Sequence, residues 1–216
     1  MRILFGSIAT LAFLGAGGCT HQRVVTPNYS PQVTAVRPAS ICPRGEIVSV
    51  AVVNQSPTGI SAGTTHAGVH TFEYIFASDP ALVLRRGLEE ALRNGGCQLG
   101  SPSMTNLGVG ILRIEARGLE CGFFTCDGTA ESMVTVTLSD GAGRPLLQQQ
   151  MITSNAKKGC GMAICNEEEA SAMAAQVLSD TIMKTINLFM GTIARQLAAP
   201  PPAPAGPVPG AAMNRS

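Results

Sequence analysis

The placement of seven cysteines constrains this chain more than any other feature of its sequence. Cys19 follows an apolar N-terminal segment, and the remaining six are Cys42, Cys97, Cys121, Cys126, Cys160 and Cys165. An even number of cysteines in an exported chain is typical of a disulfide framework, because oxidising compartments preserve these bonds. If the chain is exported and Cys19 has a separate role, the other six predict a fold stapled by disulfides.

The first 18 residues predict export. Met1 and Arg2 precede the apolar run 3–14, which is shorter than the about 20 residues that span a bilayer, and small residues follow it. The segment 14–19 (LGAGGC) resembles a bacterial lipobox, although Ala16 stands where Leu is usual. The resemblance implies cleavage after residue 18 and attachment of a diacylglycerol and an acyl chain, such as palmitate, to Cys19. Ordinary secretion without lipid is the alternative.

Composition divides the mature chain into three parts. Residues 19–44 contain four prolines among polar residues and have no sustained period, which predicts a flexible tether. Residues 45–197 carry the apolar periodicity of a periplasmic α/β domain. Residues 198–216 are rich in Pro and Ala, which predicts a disordered tail.

The sequence of the domain predicts both strands and helices. Strands are predicted over 46–53, 69–76, 112–117, 132–139 and 145–154, with a loop over 54–65. One helix is predicted to begin at Ser78-Asp79-Pro80 and to end at Asn94, and a longer one to run from Asn166 to Leu197. These elements predict an α+β fold. Its antiparallel or mixed sheet would carry a long C-terminal helix and one shorter helix, with disulfide-stapled loops.

The order of these elements resembles the YajG-like family of small bacterial outer-membrane lipoproteins. The residues that carry the resemblance are EIVSVAVV (46–53), LVLRRGL (82–88) closing in GGCQL (95–99), and VLSDTI (177–182). The resemblance implies an envelope protein without assigned chemistry, and fold likeness does not transfer function. Thr20, rather than Asp, after Cys19 resembles the outer-membrane sorting signal. We therefore expect an outer-membrane anchor with the domain facing the periplasm.

Topology reduces the possible cysteine pairings. Cys42 precedes the first domain strand and Cys97 follows the helix that returns from it, so both are expected at one end of the sheet and are predicted to pair. The other four lie in two C-x₄-C loops, 121–126 and 160–165, which the meander brings to one end. Pairs within each loop are slightly favoured over pairs between loops. A Cys₄ zinc site and a redox-active pair are the rivals, although a zinc knuckle usually has shorter spacing.

Composition and motifs argue against other classes of function. A formal net charge of +1 creates no field that would collect nucleic acid, and a chain without Trp offers few stacking platforms. The sequence has no Ser/His/Asp set, phosphate loop or HExxH motif. We therefore expect a non-enzyme with no catalytic residues, no metal and no cofactor other than the lipid on Cys19. Its expected partners are the membrane and another envelope protein or the cell wall. The alternative is a small-ligand or metal-binding module that uses the two loops.

Overall fold

A computed structural model describes residues 20–27, 41–42, 45–67, 70–121, 125–161 and 167–198. The predicted signal peptide, Cys19, Cys165, Asn166 and the Pro/Ala-rich residues 199–216 lie outside the described residues, as does most of the expected tether. The described chain forms eight strands and two helices: β1 Thr20–Val25, β2 Ile47–Asn54, β3 Ser61–Ala67, β4 His70–Phe76, α1 Pro80–Asn94, β5 Gln98–Leu99, β6 Thr105–Cys121, β7 Thr125–Asp140, β8 Pro145–Gly161 and α2 Glu167–Ala198.

The strands form one mixed sheet in which β6 is central. Its first half pairs in parallel with β2, and its second half meets β3 where Gly63 lies opposite Ala116. On the other side of β6, β7 and β8 continue as an antiparallel meander. The hairpin of β3 and β4 and the parallel strand β1 complete the opposite edge. The predicted α+β class with a mixed sheet and a long C-terminal helix is confirmed.

Helix α1 begins where its sequence predicts. The Asp79 side chain accepts a hydrogen bond from the Ala81 backbone N–H at 2.9 Å, and Pro80 occupies the first turn, where no backbone donor is needed. Leu84, Leu88 and Leu92 recur on one face and are buried. This face packs against the sheet and α2.

Helix α2 supplies the largest share of the apolar core. Its buried face runs from Met173 to Ile193 and covers β6, β7 and β8, and its end at Ala198 is one residue beyond the predicted limit. Burial of each large apolar side chain contributes roughly 1.5–3 kcal/mol. Both helices therefore lie on one face of the sheet, and no helix of the described residues covers the other face.

The start of the expected tether is a strand instead. Residues Thr20–Val25 form β1, which pairs in parallel with β4 over six positions from Thr20↔Thr71 to Val25↔Phe76. Val25 is only 2% exposed, and the His21 ring stacks on Phe72 with centroids 5.5 Å apart. The prediction of a flexible segment is wrong over these residues because the backbone of β4 supplies hydrogen-bond partners that local sequence cannot reveal.

The loop predicted over 54–65 is also partly wrong, because β3 begins at Ser61. Its small polar residues form a strand through pairing with β4, with a register shift between Ser61 and Gly63. Gly63 has φ +118°, and a Cβ there would lie 2.1 Å from the Ala116 carbonyl oxygen. Glycine therefore allows β3 to approach β6 closely enough to join the sheet.

The register places several chain reversals at one end of the sheet. β6 ends at Cys121, β7 begins beside it, and β8 ends at Gly161, with Cys121, Cys126 and Cys160 opposite one another. We call this the three-cysteine end. The turn between β7 and β8 and the start of β2 lie at the opposite end.

Candidate functional site

The predicted pair Cys42–Cys97 is a disulfide. Its sulfur atoms are 2.05 Å apart and its Cα atoms are 4.9 Å apart. The Ile41 and Cys42 backbone N–H groups both donate to the Gly95 carbonyl, so the segment before β2 is tied to the end of α1. Both cysteines are buried, which makes this bond part of the core.

The other described cysteines form a row across three strands. In the backbone register, Cys126 lies opposite Cys121 on β6 and opposite Cys160 on β8. Residues directly opposite on antiparallel strands have Cβ atoms roughly 4.5–5.5 Å apart and share one face of the sheet. The backbone register therefore places Cys126 opposite one cysteine of its own loop and one cysteine of the other loop. The preference for pairs within each loop stays a prediction.

The histidines flank one turn of the hairpin. His66 lies opposite Thr71, and His70 lies opposite Ala67, at the close of β3 and β4. No group of three or more His, Cys, Asp or Glu side chains is arranged to hold a metal within the described ranges. Cys165, which the rival Cys₄ zinc site would need as a ligand, lies outside the described residues.

The open edge of β8 is a feature that the sequence did not indicate. Within the part of the chain that the structure describes, β8 pairs only with β7, although it extends from Pro145 to Gly161. Helix α2 runs alongside, and its side chains reach the backbone of this strand at two points. Lys184 Nζ donates to the Asn155 carbonyl at 2.9 Å, and Gln196 donates to the Leu146 carbonyl. The backbone between these points has no such side-chain contact among the described hydrogen bonds.

A groove of about 500 Å³ lies between β8 and α2. Its lining combines hydroxyl, amide, ammonium and apolar groups: Thr153, Ser154, Asn155, Lys184, Asn187 and Leu188. Leu188 is 47% exposed, and so interrupts the polar lining with an apolar side chain at the surface. The groove therefore offers donors, acceptors and one apolar contact next to a strand edge that no other described strand pairs with.

Buried hydroxyls form a rigid floor behind this groove. Ser154 contacts the hydroxyls of Ser132 at 3.0 Å and Thr185 at 2.8 Å, and its own hydroxyl donates to the Thr181 carbonyl at 3.1 Å. These residues are all buried between the sheet and α2. Satisfied buried polar groups fix the relative position of the elements that carry them. The helix is therefore held in register with β7 and β8.

Charges on the open face of the sheet are balanced. Arg113 and Arg117 on β6 each form ion pairs with Glu115 and with Glu131 on β7. A hydrogen bond to Glu115 raises the pKa of the exposed Arg117 guanidinium. Exposed pairs of this kind contribute little to stability, and this quartet creates no patch of one sign. Neither helix, over the stretch that the structure describes, is long and apolar enough to span a membrane.

Comparison with known proteins identifies the fold. No family model and no curated protein matches this sequence. Protein XCC0632 from Xanthomonas campestris, a member of the DUF330 family, is 11% identical; the likeness covers 81% of this chain and 99% of that chain, with a TM-score of 0.50. This chain therefore shares its fold with the DUF330 protein.

Two further similar structures are lipoproteins by name. A minor lipoprotein from Acinetobacter baumannii is 13% identical over 72% of this chain and 98% of that chain, with a TM-score of 0.44. The rare lipoprotein B from Shewanella oneidensis is 7% identical over 69% and 96%, with a TM-score of 0.40.

Proposed function

We propose that this chain is a lipid-anchored envelope protein whose periplasmic domain is non-catalytic. The lipobox that ends at Cys19 supports the anchor, and Thr20 supports outer-membrane sorting. Several acyl chains on one cysteine make a stable anchor, because each buried CH₂ contributes about 0.8 kcal/mol. The order of elements that resembles the YajG-like lipoproteins supports the same class.

We further propose that the domain binds an extended segment of another envelope protein along β8. The observation that carries this proposal is the open edge of β8 beside the groove of α2. A segment added to a strand edge gains main-chain hydrogen bonds, and a neighbouring pocket selects its side chains. Leu188 supplies the apolar contact, and Asn187 and Lys184 supply polar ones.

The Lys184 side chain limits which segments can pair with the edge of β8. Proteins protect open strand edges with lysine side chains, which discourage unspecific pairing. The Lys184 ammonium already donates a hydrogen bond to the Asn155 carbonyl. An incoming strand must therefore displace this ammonium or pair with β8 beyond Asn155. A partner with an acidic side chain at that point would compensate the displaced ammonium.

The test is site-specific photo-crosslinking in intact cells. A photoreactive residue replaces Thr153, which is exposed at the groove, and the adduct is compared in two backgrounds. Leu188→Asp introduces a charge in the groove, whereas the control Leu82→Asp changes a leucine of similar exposure on α1. We expect one defined adduct that Leu188→Asp removes and Leu82→Asp preserves.

Other outcomes would contradict this proposal in distinct ways. An adduct of twice the chain mass would show that the segment bound along β8 belongs to a second copy of this chain and not to another protein. If the protein co-sediments with peptidoglycan, and if Leu188→Asp abolishes this while Leu82→Asp does not, then the groove binds the cell wall and not a protein. An adduct that both aspartate variants preserve would show that the groove has no part in binding.

A second candidate function is metal or small-ligand binding at the two C-x₄-C loops. The adjacent positions of Cys121, Cys126 and Cys160 favour it, because these three cysteines occupy one row of the backbone register. Zinc would require a fourth ligand and reduced thiols, whereas the periplasm is oxidising. Thiol counting and metal analysis on the purified protein decide between a zinc site and disulfides. Six bridged cysteines without zinc would exclude the metal, and four free thiols with one bound zinc would establish it.

A further inference from the structure

We infer that the three-cysteine end of the domain rests against the headgroup surface of the membrane that carries the lipid on Cys19. The inference rests on the proposed lipidation and adds an orientation to it. It replaces the expectation of a domain held away from the membrane by a tether.

The attachment between anchor and domain is short. Thr20 follows Cys19 directly and is already the first residue of β1. Consecutive Cα atoms are about 3.8 Å apart, so the anchored residue cannot lie far from the sheet. β1 is fixed by six paired positions along β4, and its last residue, Val25, is buried. The lipid is therefore joined to a strand of the folded domain, and the domain cannot move away from the surface without losing β1.

The register shows which end of the sheet this is. Thr20 lies opposite Thr71, which lies opposite His66 on β3. Gly63 of β3 lies opposite Ala116 of the parallel strand β6, so the level of Thr20 falls within a few residues of the end of β6 at Cys121. The start of β7 and the end of β8 share this level. The anchor and the three-cysteine row thus lie at the same end.

The opposite end is far from the anchor. Along β6, 12 residues separate Arg117 near the three-cysteine end from Thr105, which pairs with Asp140 at the β7–β8 turn. At about 3.3 Å per residue this separation is about 40 Å. Helix α2 ends near the turn, where Gln196 contacts Leu146. An upright domain would therefore present this turn and the end of α2 to the periplasm.

Charge does not account for the contact with lipid. The arginine nearest this end on β6, Arg117, is paired with Glu115 and Glu131. Lys157 and Lys158 on β8 share this end with Asp127 on β7 and Glu120 on β6, so the charged positions here are of both signs. Juxtamembrane segments that bind by charge need clusters of Lys or Arg. The short covalent connection sets the orientation, and zwitterionic lipid is sufficient for it.

Tryptophan quenching tests the orientation, because the chain contains no Trp of its own. Single substitutions place the indole near the three-cysteine end (Lys157→Trp) or at the β7–β8 turn (Ala142→Trp), and both sites are exposed. The acylated full-length lipoprotein is reconstituted into phosphatidylcholine vesicles that contain a lipid with a nitroxide on its headgroup. We expect loss of fluorescence for Lys157→Trp and unchanged fluorescence for Ala142→Trp. Thr64→Trp, which is exposed on β3 near the same end, should behave like Lys157→Trp.

Equal quenching of the indoles at both ends would show that the domain lies flat on the membrane. No quenching at either end would show that the domain is held away from the membrane. Each result overturns the inference. Intact-mass measurement separates these failures from failure of the anchor. If Cys19 carries no lipid, the proposed anchoring is wrong. If Cys19 is acylated and Lys157→Trp is not quenched, only the orientation is wrong.

Discussion

The hydroxyl oxygens of Ser132 and Thr185 lie 2.6 Å apart in the buried interface between β7 and α2. Thr185 also donates to the Thr181 carbonyl at 2.8 Å and contacts the Ser154 hydroxyl, so three elements meet at one side chain. A cluster of hydroxyls in the core is tolerated only because each has a partner. The same cluster specifies how the helix sits behind the groove.

Replacing Thr185 by Val should therefore destabilise the domain. Val has a similar shape and removes only the hydroxyl, leaving Ser132 and Ser154 with one partner fewer. We expect a loss of about 1–3 kcal/mol in the free energy of unfolding, measured by urea titration. Thr192→Val is the control, because the Thr192 hydroxyl bonds to the Leu188 carbonyl of its own helix. Equal losses in the two variants would contradict a special role for the cluster.

Breaking the Cys42–Cys97 disulfide should have a larger effect. The bond closes a loop with a sequence separation of 55, for which the chain-entropy estimate is about 4 kcal/mol. Cys97→Ser should lose stability of this order in thermal or urea unfolding under oxidising conditions. The double variant with Cys42→Ser should lose about as much as the single variant, because both remove the same bond. Additive losses would show that the cysteines contribute independently of the bond.

Gly63→Ala should disrupt the junction of β3 with β6. A methyl group at this position meets the Ala116 carbonyl oxygen at 2.1 Å, and φ is +118°. We expect a loss of more than about 2 kcal/mol from strain and strand displacement. Gly59→Ala is the control: Gly59 has φ +60° with nothing within 4 Å of the added Cβ, and should lose about 1 kcal/mol. Circular dichroism during urea unfolding measures both, and similar losses would contradict the close approach.

The β7–β8 turn should stabilise the fold only while Asp140 is ionised. Hydrogen bonds from the backbone and side chain of Arg144 lower the pKa of Asp140 below its ordinary value of 3.8. A lowered pKa in the folded state gives stability above the unfolded pKa of about 4, and this stability is lost as the pH falls through the folded pKa.

The difference in unfolding free energy between the parent protein and Asp140→Asn should therefore be largest near neutral pH and should shrink in acid. Urea titrations from pH ~7 to pH ~2 measure it. A difference that does not change with pH would show that the carboxylate charge has no role in the turn.

The sequence predicted those elements whose signals are local. Asp79 and Pro80 marked the start of α1, and the apolar stripe of α2 marked a long helix, because caps and helical periodicity depend on neighbours within a few residues. The Cys42–Cys97 pair followed from the direction of one strand and one helix.

Strands β1 and β3 could not be found in this way. Both strands are short, β1 begins with polar residues, and β3 is interrupted by a glycine. These segments are strands because the backbone of β4 forms hydrogen bonds with both of them. The groove could not be predicted either, because it requires contact between Lys184 and Asn155, which are 29 residues apart in the chain.

Local sequence signals were enough to predict the α+β class and the number of cysteines available for disulfides, and they predict an export signal and a lipobox that ends at Cys19. These features are set by composition, periodicity and short motifs. Strand pairing across the fold makes Thr20 the start of a strand and places Cys121, Cys126 and Cys160 in one row of the backbone. It also leaves β8, among the described strands, with β7 as its one partner beside α2. Each of these depends on which strands pair and in what register, and pairing energy comes from residues that are distant in the chain.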